Sequence, residues 1–146
     1  DYPFINGISQ ASFEKEIFES SVANKTIFLF DTCNSGRLTQ MNTTRGVTSN
    51  IKRIVDELSR GQGRFIISAS GNNEAAYENA TWGHGAFTKA IIEALIEGRA
   101  DRNNDGINIA EFKAYLKSRV PEMTEGRQHP LSRENIAGED FRFYLK

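Results

Sequence analysis

The stretch KTIFLFDTCNSGR, residues 25–37, sets a run of large apolar residues directly against a small polar turn and contains the only cysteine of the chain, Cys33. The run is continuous rather than alternating, which is what a parallel strand covered on both faces requires. RFIISAS, residues 64–70, has the same character, and both runs are expected as central strands. Between them Ile51, Ile54, Val55 and Leu58 recur at helical spacing behind Ser49 and Asn50, so a helix of about ten residues makes the crossover of a βαβ unit.

Working outward, Phe13, Ile17 and Phe18 indicate a helix before the first strand, and Phe87, Ala90, Ile91, Ala94 and Leu95 a helix stopped at Gly98. A further helix carries Ile109, Phe112, Leu116 and Val120 and is expected to end at Pro121, and DFRFYLK alternates as an edge strand does. Strands near 26–32, 64–69 and 140–145 alternating with helices define an α/β fold, a three-layer sandwich with a mostly parallel sheet. No repeat or linker divides residues 1–146, so one domain is expected.

Eighteen basic and nineteen acidic residues give a net charge of −1, too weak a field to gather nucleic acid or an anionic membrane. A lone cysteine excludes an internal disulfide framework and fits a reducing, cytoplasmic setting. No apolar run reaches the roughly 18 residues that span a bilayer, and DYPFINGISQ lacks the charge and hydropathy of a signal peptide.

Cys33 stands at the carboxyl end of its strand, where open parallel sheets place reactive groups, and the turn formers Asn34, Ser35 and Gly36 follow it. A thiol there needs a base, because only the thiolate attacks and an unperturbed pKa near 8.5 leaves little of it at neutral pH. Two histidines are available, His84 and His129.

FLFDTCNSG resembles the nucleophile motif of caspase-like cysteine peptidases, in particular the metacaspase and bacterial caspase-like branch. GRFIISASGNNEAAYE is similar to that branch's next strand and loop, WGHGAFTKAIIEAL to its Gly-His-Gly-x-Phe-Thr helix start, and DRNNDGINIAEFKAYLKSRVPEMTEGRQHP to the acidic loop, helix and Gln-x-Pro segment that follow. ISQASFEKEIF likewise resembles the helix before the nucleophile strand. The resemblance implies a cysteine endopeptidase with Cys33 as nucleophile. It also implies a catalytic histidine upstream of the cysteine, where this chain has none, so the chain is expected to be the C-terminal part of the domain, supplying the C-terminal half of the sheet, with an N-terminal fragment bringing the base. The alternative is a non-catalytic caspase-like scaffold or peptide-binding pseudo-peptidase.

The resemblance further places Asp31, two residues before the nucleophile, in the specificity pocket, where a carboxylate selects lysine or arginine. The simpler reading of Asp31 is a carboxylate accepting N–H bonds in its own turn. Asn72 stands where metacaspases often carry a second pocket acid, leaving Glu74 or Glu78 to contribute. Ser70 and His84 are expected beside the substrate cleft, His84 matching the later Gly-His-Gly rather than the base motif, and His129 is expected in a surface loop. The polar segment RLTQMNTTRGVTSN offers Arg37 and Arg45 for self-processing.

No cofactor is required for this chemistry. Asp101, Asn103 and Asp105, with Gly106 next, have the spacing of an EF-hand-like calcium loop, but Phe112 occupies the place of the bidentate acid and Glu111 comes one residue early. Asn108 and Glu111 also fit a capping box, which explains them without metal.

Overall fold

The structure is a computed structural model and describes residues 23, 25–31, 63–71, 74–135 and 141–143. Cys33, Asn72, the loop from Arg37 to Asn50 and the two helices expected near residues 13–18 and 51–58 lie outside the described residues.

The chain is a mixed α/β fold with small sheets and, among the described residues, two helices. Strand β1 (Thr26–Phe30) runs parallel to β2 (Arg64–Ser68), and β2 pairs antiparallel with β6 (Leu131–Asn135), giving the order β1-β2-β6. The parallel ladder extends one bond further, Ala69 N donating to Phe30 O at 2.8 Å. Because β6 is antiparallel, its start at Leu131, opposite Ser68, meets the carboxyl ends of β1 and β2 at one edge.

Phe65, Ile67 and Ala69 on one face of β2 pack against helix α1 (Ala86–Leu95) through Ala86, Phe87, Ala90 and Ala94, and against helix α2 (Ile109–Met123) through Phe112, Leu116 and Val120. Ile66, on the opposite face, is equally buried. β1 departs from the expected fully buried strand: Ile27 joins the core margin, but Leu29 is 40% exposed because the helical layer is centred on β2.

Helix α1 starts at Gly85, where Ala86 N donates to Tyr77 O at 2.8 Å. Its stop is the expected one. Gly98 takes φ +70°, a conformation open to glycine, which lets Arg99 N reach back to Glu93 O at 3.1 Å. Helix α2 begins with a full capping box, Glu111 N donating to Asn108 Oδ1 at 2.9 Å and Asn108 N to Glu111 Oε2 at 3.1 Å. It does not end at Pro121 but continues to Met123. Proline forfeits one N–H bond, yet so near the helix end few bonds follow it to be disturbed.

Two further expectations are corrected. Among the described residues the C-terminal segment joins a different sheet: β7 (Arg142–Phe143) pairs with β5 (Ile107–Asn108) ahead of α2. Its Phe143 ring packs on Phe112 at 5.1 Å. The third strand of the sheet is instead β6, so the described sheet holds one parallel and one antiparallel pair rather than a mostly parallel set. A short ribbon, β3 (Glu78–Asn79) with β4 (His84–Gly85), completes the elements beside the sheet edge.

Candidate active-site edge

Asp31 follows the last residue of β1 and is exposed. Its Oδ2 accepts a 2.5 Å hydrogen bond from Thr88 Oγ1 in the first turn of α1. That turn holds no acidic residue of its own, so Asp31 brings the negative charge that a helix N-terminus favours. A Cβ at Gly85 would lie 3.5 Å from Asp31 Oδ2 and 3.8 Å from Glu78 Cγ. The two acidic side chains therefore flank Gly85. The partner that the structure gives Asp31 is Thr88, 57 residues away, and the turn that follows Asp31 lies outside the described residues. His84 sits next to this pair in β4, its ring exposed.

Ser70 is buried at 8% exposure, and its carbonyl accepts from Ser68 Oγ at 3.1 Å. Glu74 is not available to a substrate cation. Its Oε2 accepts from His129 N at 2.6 Å and from Gly71 N at 3.4 Å, while Oε1 lies 2.8 Å from His129 Nδ1. Partial burial is the largest single influence and raises the Glu74 pKa, but the His129 backbone and ring together with Gly71 outweigh it and hold the carboxyl below its ordinary value. His129 is exposed in a loop, as expected, yet it is fixed by this acid rather than idle.

Gln128 is a residue that sequence reasoning noticed only as part of a motif. It is fully buried, with Nε2 donating to Ala69 O at 2.8 Å and Oε1 accepting from Tyr77 N at 2.8 Å. The signal for it exists in the spacing: the buried stripe Phe112, Leu116, Val120 continues at the same interval through Thr124 to Gln128, beyond the helix end.

In the acidic loop, Asp101, Asp105 and Glu111 bring carboxylate oxygens within 4.8 Å of one another. Asn103, another expected ligand, accepts from Asp105 N at 3.4 Å through its side-chain oxygen. Asp101 accepts from Asn104 N and Gly106 N at 2.7 and 3.0 Å, and Arg142 Nη1 pairs with Asp105 Oδ1 at 2.9 Å.

Comparison of the chain with protein-family models, curated proteins and solved structures gives no match. Among the described residues no helix is long and apolar enough to cross a membrane.

Proposed function

We propose that the chain is the nucleophile-bearing part of a caspase-like cysteine endopeptidase that cuts after arginine or lysine, its sheet belonging to a three-layer caspase-like sandwich. The observation that carries this reading is the pair Asp31 and Glu78 flanking Gly85 at the carboxyl edge of the sheet, with Asp31 two residues before Cys33 in sequence. Two acidic side chains at such an edge favour a cationic side chain over an anionic one.

In this mechanism a histidine from a more N-terminal segment takes the Cys33 thiol proton, and the thiolate adds to the scissile carbonyl. The Cys33 backbone N–H contributes to holding the oxyanion. The histidine returns its proton to the departing amine, leaving an acyl-thioester. Water, deprotonated by the same histidine, then releases the carboxylic acid and restores the thiol. The chemistry requires no metal.

In the complete protein, peptides ending in Arg or Lys should be cleaved in preference to those ending in Asp, and Cys33→Ala should abolish turnover. Asp31→Asn should lower kcat/KM for the basic substrates roughly a hundredfold, about 2.7 kcal/mol of transition-state binding. Preference for Asp peptides overturns the pocket assignment. Binding of Arg peptides without turnover supports the non-catalytic scaffold in its place.

A further inference from the structure

We propose that Arg127, Gln128 and His129 form a positioning clamp that fixes the loop from Ala69 to Tyr77 and thereby sets the affinity of the cleft for peptide. The part concerning peptide rests on the peptidase reading above. The part concerning the loop does not.

Gln128 is the centre of the device. Ala69 O lies just past the end of β2, and Tyr77 N just before β3. A single buried amide reaches both, each at 2.8 Å, and only one orientation of it satisfies an acceptor and a donor together. An apolar residue would remove both of these bonds at once, and a carboxylate could serve only Tyr77 N. Gln128 is itself tied to the end of α2, its N–H donating to Thr124 Oγ1 at 3.1 Å while Thr124 Oγ1 donates to Val120 O at 2.8 Å.

The neighbours act on the same loop. The Arg127 guanidinium lies 4.8 Å from the centre of the Tyr77 ring, and His129 holds Glu74 through both its backbone N–H and its ring. Three successive residues thus grip the start, middle and end of one loop. That loop carries Ser70 and Glu74, leads into Glu78, and is joined to the end of β1 through Ala69 N and Phe30 O. Holding it in place removes an ordering cost that a peptide would otherwise meet on binding, so loss of the clamp should appear in KM more than in kcat.

The experiment uses the complete protein with Gln128→Ala, Gln128→Glu and His129→Ala, reading amide hydrogen exchange at Tyr77 and hydrolysis of an Arg-terminated peptide. Gln128→Ala is expected to speed Tyr77 exchange and to raise KM about tenfold with kcat within about twofold. Gln128→Glu is expected to regain affinity as pH falls, because a neutral carboxylic acid can again donate to Ala69 O, while Gln128→Ala shows no such recovery. His129→Ala, on an exposed side chain, should give the same KM effect at smaller size, and it carries the test if Gln128→Ala does not fold. Unchanged Tyr77 exchange in Gln128→Ala overturns the clamp. Faster exchange with unchanged KM overturns its link to the cleft. An unmodified protein that hydrolyses no peptide overturns the peptidase reading and the cleft half, while Tyr77 exchange still decides the loop half.

Discussion

Glu74 and Glu93 are both held below their ordinary pKa by partners from distant parts of the chain, but they serve opposite layers of the molecule. Glu93 is 3% exposed on α1, and Arg119 of α2 donates to it through Nε at 2.7 Å and Nη2 at 3.2 Å. Tyr115 Oη–H adds a bond at 3.0 Å, and Lys89 Nζ lies 3.7 Å away. The Arg119 bonds are the largest influence and, with Tyr115 and Lys89, overcome the cost of burial. The same carboxylate, with burial the larger cause, pushes the Tyr115 hydroxyl pKa up. Glu74 is only partly covered and its partner is a histidine in a loop. One carboxylate locks two helices into a scaffold; the other holds a loop at the edge of the sheet. Burial therefore decides whether an ion pair bears on global stability or on local shape.

The largest test of that contrast is Arg119→Met, which strands Glu93 in the helical interface. It should cost about 3 kcal/mol in urea denaturation, and replacing Glu93 by Leu in the same chain should recover much of the loss. A cost under about 1 kcal/mol for the single change would erase the distinction between the two acids.

Acid provides the next test. Both carboxylates have depressed folded pKa values, so their contribution to stability is complete above the unfolded value of about 4.3 and is lost as pH falls through the folded one. The unmodified protein should lose stability below about pH 4.3, and Arg119→Met should lose less over the same interval. Equal slopes in the two proteins would show that Glu93 is not the acid responsible.

Smallest is Glu74→Gln, expected to change unfolding free energy by less than about 1 kcal/mol while increasing proteolytic nicking between Gly71 and Tyr77. A global loss comparable to that of Arg119→Met would place Glu74 in the scaffold after all.

The legible parts of the fold were those whose side chains report their own burial. Phe65, Ile66 and Ile67 form an apolar run, and Phe87, Ala90 and Ala94 recur at helical spacing, so β2 and α1 were readable. β6 was not, because LSREN has one apolar residue and is a strand only through its ladder to β2. The ribbon β3–β4 and strand β5, the partner of the expected strand at β7, escaped for a similar reason: pairs this short express tertiary contacts rather than local preference. At the site, Asp31 could be placed from its position at a strand end, and Glu78 was one of two acids left open. The engagement of Glu74 by His129 could not be read, since 55 residues separate them and neither lies in a periodic pattern.

The antiparallel arrival of β6 bears on the order in which the protein is made. Arg64 to Ser68 of β2 must wait for Leu131 to Asn135 before that side of the strand is paired, whereas α1 and α2 meet across a short connection. During synthesis the helices can pack while the ribosome still holds the residues that complete the sheet, because contacts close in sequence form before distant ones. Gln128 and His129 emerge just ahead of β6, so Ala69 O and Tyr77 N gain their bonds to Gln128 only after α1 and α2 have been translated. A nascent chain stalled before Gln128 would therefore carry a folded helical pair beside a loop, Ala69 to Tyr77, that still lacks the bonds of Gln128 and His129.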